Sequence, residues 1–317
     1  MQKNYPLAPI EINIDQQELN FYPKFPNPDQ KKSYQVSTSK YGVGEKINSQ
    51  QTPRGLMQIR AKIGNNLNPQ TVFSSRRPLP ELFNTHKLTI ASKKQDWIMG
   101  RILWLSGLEP YFNRYKSVDT QKRFIYIHGI PEIIDINKPD SIGCIRMRTE
   151  NLIDIFQKIQ LPIKVYIREK SNADFDIISL SSKEYQSIIE TTHNQVIDEG
   201  SKIILEQEFS NIKVIDNPIY ILTFNRITEI VSIAKLLVDN QKIYLSKIVF
   251  SKELWTHGVG YEIIKKIITI SKNQNCHEII LNCKENAIDY FQKIGFKTDG
   301  LRFQKMEKKI IKMKLKI

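Results

Sequence analysis

A thiol and an imidazole each stand beside a glycine in RFIYIHGIPEIIDINKPDSIGCIRMRT, residues 123–149. The alternation Phe124-Ile125-Tyr126-Ile127 predicts a strand that ends on His128-Gly129. A polar, Pro-bearing loop follows, and the chain returns through Ser141-Ile142-Gly143-Cys144-Ile145-Arg146. The thiolate is the reactive form of cysteine, and a nearby imidazole and guanidinium both favour it. Cys144 is thus a candidate nucleophile, His128 its base and Arg146 a supporting charge. Gly143 lets backbone approach a substrate closely, and amides around a nucleophile can bind a developing oxyanion. Taken singly, a cysteine is more often a small buried hydrophobe and a histidine a structural residue. Their joint spacing beside glycines is what raises them above that background.

His-Gly, a loop, then Ser-x-Gly-Cys-x-Arg resembles the signature of the L,D-transpeptidase catalytic domain (YkuD-like). By that resemblance Cys144 attacks, His128 is its base, and Gly143 and Cys144 supply oxyanion-binding amides within a turn that includes Ser141. Arg146 would fix the substrate or order the loop, and Gly129 would line the substrate site. One position departs: the family's His or Asn two before the cysteine is Ile142, which cannot donate to an oxyanion. The span RILWLSGLEPYFNR…DTQKRFIYIHG resembles a compact subgroup, the leaderless cytoplasmic L,D-carboxypeptidases of peptidoglycan recycling. The likeness covers roughly residues 9–168 and implies a mostly β sandwich- or barrel-like fold with no cofactor.

The elements that must hold these residues are short. Alternation predicts strands at Ile10–Ile14, Leu19–Phe21, Tyr34–Val36 and Leu56–Lys62, the last after a Gly/Ser/Pro-rich loop ending in Pro53 and Gly55. Ser37 and Thr38 read as structural. Residues 64–94 read as a polar, irregular insertion bordering the cleft, and Trp97–Trp104 as core strand. Asn151–Ile159 has helical spacing and Ile163–Ile167 closes the domain. Residues 1–169 therefore form the first domain, 170–173 a polar linker and 174–317 a second, α/β domain.

The length agrees with two domains, since 317 residues exceed an ordinary single one. The 40% hydrophobic and 25% charged content are those of a globular protein. Three cysteines, Cys144, Cys276 and Cys283, suggest no disulfide framework. No apolar run spans a membrane and no secretory h-region follows Lys3, so the expectation is a cytoplasmic protein without membrane insertion. The net charge of +14 sits mostly in the first half: residues 1–170 carry 26 Lys/Arg against 15 Asp/Glu, and 171–317 carry 21 against 18. No zinc-finger, RNA-binding aromatic or basic-helix pattern accompanies it, so no nucleic-acid partner is expected.

The second domain has its own constellation. The strand Ile243–Phe250 runs through a loop holding Gly258 and Gly260 into an amphipathic helix over Tyr261–Lys272. Amides at such a terminus can point at a pyrophosphate, assisted by the helix dipole. Further on, ENAIDYFQKIGFKTDG resembles the fourth helix of the GNAT acetyltransferase superfamily. That resemblance covers about residues 174–317 and implies acetyl-coenzyme A binding, with the pyrophosphate on the amides of Gly258, Val259, Gly260 and Tyr261. The strand amide that polarises the thioester would come from around Val249. Trp255 replaces a usually charged residue of the phosphate loop, and Phe291 stands where the family often has tyrosine, with Tyr290 one place earlier. Glu206, Glu208 and Asp216 are candidate bases by position alone.

The combined expectation is a cysteine-dependent L,D-carboxypeptidase or L,D-transpeptidase. It would act on the diamino acid–D-Ala bond of peptidoglycan stem tetrapeptides and carry an acetyl-coenzyme A-dependent N-acetyltransferase domain. The alternatives are a pair of non-catalytic modules binding wall fragments and coenzyme A, or a periplasmic cross-linking enzyme.

Overall fold

The computed structural model describes residues 6–83, 96–171, 173–191, 202–206, 218–226, 228–239, 241–251, 259–305 and 308–317. The chain divides into two compact units, Met1–Leu108 with Asn113–Ala173, and Glu109–Phe112 with Asp174–Ile317. No helix among the described residues is long and apolar enough to cross a membrane.

The first unit is built almost wholly from strands: β1 (Ile10–Asn13), β2 (Glu18–Phe21), β3 (Lys32–Ser37), β4 (Gly55–Ile63), β5 (Thr71–Ser74), β6 (Arg77–Leu82), β7 (Met99–Gly107), β8 (Tyr126–Ile130), β9 (Ile145–Arg148) and β10 (Ile163–Arg168). Their pairing runs β4-β10-β1-β2-β3-β9-β8-β7, and β7 pairs back onto β4, so the sheet closes into a barrel-like ring. Closure removes the free edges that an open sheet would present. One helix, α1 (Thr149–Lys158), follows β9 and buries Leu152, Ile155 and Phe156. These pack with Leu103, Ile127, Ile145 and Met147 in a single apolar core.

Two expectations change here. The strand holding His128 starts at Tyr126, because Phe124 takes a left-handed φ of 56° and ends the preceding turn. It runs to Ile130, since its parallel partner β9 continues the ladder through Arg148, and so His128-Gly129 lies inside the strand. The insertion read as irregular contains the β5–β6 hairpin. Val72 of β5 pairs with Met99 of β7, and Phe73 packs on Ile102 and Tyr126. The alternation there was hidden by Pro78 and Pro80, which a strand tolerates only at an edge; β6 is exposed throughout and ends the sheet path.

The second unit is a mixed sheet ordered β11 (Asp176–Ser181), β13 (Ile219–Phe224), β14 (Ile230–Asp239), β15 (Lys242–Phe250), β16 (Glu278–Lys284), β18 (Lys308–Lys316), β17 (Lys297–Lys305), with β12 (Lys202–Glu206) paired to β15. Among the described residues its helices are α2 (Ser182–Thr191), α3 (Val259–Asn273) and α4 (Ile288–Lys293). The α2 start has reciprocal capping: the Ser181 hydroxyl accepts from Glu184 N, and Ser181 N donates to the Glu184 carboxylate. Glu109 is fully buried, with Lys266 Nζ 2.5 Å away and Ser179 N and Oγ donating to it at 2.8 and 3.1 Å. Such a buried charge persists because it is paired and hydrogen-bonded. Glu208 and Asp216 lie outside the described residues.

Phe156 fills the core with 2% of its surface exposed. Phe156→Ala should cost the first unit about 3–5 kcal/mol. A urea titration read by the fluorescence of Trp97 and Trp104 checks this, and an unmoved transition would mean α1 contributes little to that core.

Candidate active site

The site is assembled by sheet register. Leu103, Ile127 and Ile145 are paired neighbours on the core face, so alternation sends Ile102, Trp104, Tyr126, His128 and Arg146 to the opposite face. His128 is directly opposite Arg146 across the parallel β8–β9 pair. Cys144 stands one residue before β9 and its sulfur reaches Tyr126 N at 3.4 Å and Phe124 O at 3.5 Å. Nucleophile and base thus share a face, brought together from opposite ends of a loop.

A second layer holds the turn before the cysteine. Ser141 Oγ donates to Cys144 O at 2.6 Å and accepts from Gly143 N at 3.2 Å. Thr52 Oγ1 donates to Gly143 O at 3.1 Å and accepts from Ser39 N at 3.0 Å. Ser141 N donates to Thr38 O, and Asp140 N to both Thr38 O and Ser37 Oγ. The Ser/Thr-rich segment 37–52 is therefore the clamp for the catalytic turn. Gly143 has φ +127°, a conformation that only glycine adopts at low cost, and an added Cβ would press on Ile125.

His128 is fully buried. Its Nδ1 is 3.1 Å from Gly129 O, and a carbonyl only accepts, so this nitrogen carries the proton and Nε2 the lone pair. Nε2 is buried with no hydrogen-bond partner among the described residues. Burial pushes the His128 pKa down, against the opposing pull of the Asp96 charge and the Gly129 carbonyl, with Arg146 adding to the fall. At neutral pH the ring is therefore an uncharged base. Cys144 is half-buried, and burial pushes its thiol up to about 12. Asp96 adds to that rise, while the Tyr126 amide, Arg146 and Arg123 oppose it. The resting pair is a neutral thiol and a neutral imidazole, not joined by a hydrogen bond.

Several expected roles land elsewhere. Arg146 is 6% exposed, with Nε donating to Asp96 at 2.9 Å, a second nitrogen 2.7 Å from the same oxygen, and a third 3.4 Å from Asp140. Its guanidinium is committed to two carboxylates, so it orders the loop and does not reach out to substrate. Gly129 lines no open site: it is buried in β8, and a Cβ there would overlap Met99 O and Thr149 Oγ1. Gly143 N is engaged by Ser141 Oγ, so that amide serves the turn as it stands and is not open to an oxyanion. Ile142 points outward, 47% exposed. Residue types alone did not mark Thr52, Asp96 or Arg123. Arg123 donates to Gly44 O, Ser49 Oγ and Gln51 O, tying down the loop against which Gly143 packs. Only the Ser/Thr richness of 37–52 was a signal.

In the second unit Val259 and Gly260 open α3, buried, while Tyr261 is half-exposed beneath Lys265 Nζ. Gly258, Trp255 and His257 lie outside the described residues. Phe291 is fully buried in the core, and Tyr290 turns instead to α3, where its hydroxyl occupies the space a Cβ on Gly260 would need. Val249 is buried on β15. The β15–β16 pairing covers only Lys242–Tyr244 against Glu278–Ile280, and then the strands part. β12 fills the gap along β15, with Lys202 opposite Phe250, Ile203 opposite Val249 and Glu206 opposite Lys247. The β15 edge does not fit the thioester of acetyl-coenzyme A while β12 is paired there. Among the described residues no group of His, Cys, Asp and Glu could hold a metal ion.

A thiol of ordinary pKa is fully ionised, and alkylates at its maximal rate, above about pH 9–10. The raised Cys144 pKa means its iodoacetamide labelling should still climb about ten-fold per pH unit from pH 8 to 10. Peptide mass mapping separates it from Cys276 and Cys283, and a plateau below pH 9 would contradict the neutral resting thiol.

Comparison with known proteins follows the same division. The family model for the L,D-transpeptidase catalytic domain (YkuD) matches residues 9–167, and that for the acetyltransferase (GNAT) domain matches 188–317. Among solved structures, nourseothricin acetyltransferase is 11% identical, covering 45% of this chain and 99% of its own, with a TM-score of 0.34. A GNAT-family acetyltransferase from Streptococcus pneumoniae is 20% identical over 32% and 67%, with a TM-score of 0.27. The ribosomal-protein-S18-alanine N-acetyltransferase from Escherichia coli is 13% identical over 45% and 94%, with a TM-score of 0.32. At these scores they are likenesses and no more. The match over residues 9–167, half of the sequence, carries the conclusion: the chain belongs to the L,D-transpeptidase catalytic domain family and continues into a GNAT acetyltransferase domain.

Proposed function

We propose that the first domain is a cysteine L,D-carboxypeptidase acting on the diamino acid–D-Ala bond of peptidoglycan stem tetrapeptides. The observation that carries this is the pair itself: the Cys144 thiol on the same sheet face as a His128 imidazole whose Nε2 is buried with no hydrogen-bond partner among the described residues. As the sulfur bonds to the scissile carbonyl carbon, the S–H proton passes to Nε2, so no thiolate is needed at rest. The imidazolium so formed is favoured by the Asp96 charge and the Gly129 carbonyl. It returns the proton to the D-Ala nitrogen as the C–N bond breaks, leaving a thioester on Cys144. Water then attacks with His128 as base, giving the tripeptide acid and restoring the thiol. An amine in place of water would give a cross-link by the same steps.

For the second domain the reading is an acetyl-coenzyme A-dependent N-acetyltransferase whose acceptor is an amine on a wall fragment, either the diamino acid side chain or an amino sugar. Supporting it are the GNAT match and the buried start of α3. The pairing of β12 along β15 requires that strand to leave before the thioester can dock. Three free cysteines agree with a reducing, cytoplasmic setting and with substrates that are recycled fragments.

Incubation with muramyl tetrapeptide should yield tripeptide and free D-Ala by mass spectrometry. Cys144→Ala should abolish the products and His128→Gln should slow them about 10²–10⁴-fold. Turnover that survives Cys144→Ala would remove the nucleophile from this scheme. For the second domain, the double substitution Ile203→Pro and Ile204→Pro takes amides from β12 and bars extended pairing. By calorimetry it should tighten acetyl-coenzyme A binding at least about ten-fold, which is about 1.4 kcal/mol. Equal affinity in both proteins would show that β12 does not stand in the way.

A further inference from the structure

Two guanidinium groups bear directly on Cys144, and both are spent. Arg146 is bound by Asp96 and Asp140, and Arg123 by backbone carbonyls and Ser49. Arg76 is different. It sits with Ser75 at the tip of the β5–β6 hairpin, between the paired Ser74 and Arg77. Both tip residues have left-handed φ, 48° and 70°. Such two-residue turns favour Asn or Gly, so an arginine here is held against local preference by what its side chain meets. Its guanidinium lies 4.6 Å from the Trp104 ring and 4.8 Å from the Phe124 ring, and one nitrogen donates to Tyr126 Oη at 2.8 Å.

These are the residues that hold the nucleophile. Phe124 O and Tyr126 N are the two backbone atoms that bind Cys144 Sγ, and Trp104 is the neighbour of Tyr126 across β7–β8. The hairpin therefore delivers a half-buried cation to the aromatic wall beside the attacking sulfur. It faces no carboxylate among the described residues, and only one of its five N–H donors has a hydrogen-bond partner there. A guanidinium flattened on aromatic rings keeps its edge donors in one plane, the geometry that takes a carboxylate through two parallel bonds.

We propose that Arg76 is a specificity-determining residue that receives the terminal carboxylate of the residue leaving from the scissile bond. This inference rests on the cysteine peptidase reading above and deepens it, because it makes the site selective for peptides with a free C-terminal carboxylate. The position of the cation accounts for cleavage one residue from a chain end. An internal peptide bond, or a C-terminal amide, offers no anion there and leaves the guanidinium desolvated without a partner.

The test compares the stem tetrapeptide as free acid with the same peptide ending in D-alaninamide. Binding is measured by calorimetry on Cys144→Ala protein, alone and with Arg76→Met or Arg76→Lys, and kcat/KM on the proteins that retain Cys144. The acid should bind about 10–100-fold more tightly than the amide, and Arg76→Met should erase that ratio by weakening the acid alone. Arg76→Lys, which keeps the charge and loses the fork, should give an intermediate ratio. The kcat/KM values should follow, mainly through KM. Cys144 labelling by iodoacetamide should be unchanged in Arg76→Met, since sulfur is held by backbone atoms. If acid and amide bind the unaltered site equally, or if Arg76→Met weakens both alike, the proposal is overturned. Should Arg76→Met fail to fold, the lysine variant decides by the same ratio. Absence of turnover with the acid–amide binding ratio intact would instead overturn the peptidase reading and leave Arg76 as a carboxylate receptor.

Discussion

The parallel pairing of β8 with β9 is the constraint on which the active site depends. Its register sets His128 against Arg146 and, one residue beyond the ladder, Cys144 against Tyr126. A slip of β8 by one residue would send each of its side chains to the opposite face, turning His128 onto Leu103 and Ile145 in place of Ile127. That register is locked from the core side, where the alternate residues of β7, β8 and β9 belong to one apolar cluster. Hydrophobic burial on one face therefore fixes catalytic geometry on the other.

Polar groups then refine what the register sets. The Cys144 turn is held by hydroxyls of Ser37, Thr52 and Ser141, each satisfying backbone groups of the turn or of the loop before it. Asp96 links two functions: its carboxylate binds the Arg146 guanidinium and its charge favours an imidazolium at His128. The same carboxylate disfavours a resting thiolate at Cys144. The combination suits a site in which the proton moves during attack and not before it.

The second domain shows the opposite balance between pattern and geometry. Residues 188–317 match the GNAT family model, and the helix Val259–Asn273 begins two residues before the expected Tyr261, so that Gly260 lies inside its first turn. The strand that should present an amide to a thioester is instead paired along its outer half with β12. The substitution of Phe for Tyr at 291 is resolved by packing: the ring completes the core, while Tyr290, one residue and about 100° away, places its hydroxyl over Gly260. Sequence spacing alone separates those two faces, which is why one tyrosine could not be traded for the other.

What the sequence determined by itself is local or repetitive. Alternation at Ile10–Ile14, Leu56–Lys62 and Ile243–Phe250 marks strands because one face of each must be buried, and 3.6-residue spacing marks α1 and α3 for the same reason. The Gly-Cys and His-Gly pairs mark the chemistry because those residue types carry it. Tertiary structure alone decided that Arg146 is consumed by Asp96 and Asp140, that Gly129 is a packing glycine, and that Thr52 holds the catalytic turn. It also decided that Arg76 lies on the ring of Phe124, whose carbonyl binds the nucleophile. Each of these depends on contacts between residues dozens of positions apart, whose meeting is set by ring closure and strand register, and no local pattern encodes a partner at that distance.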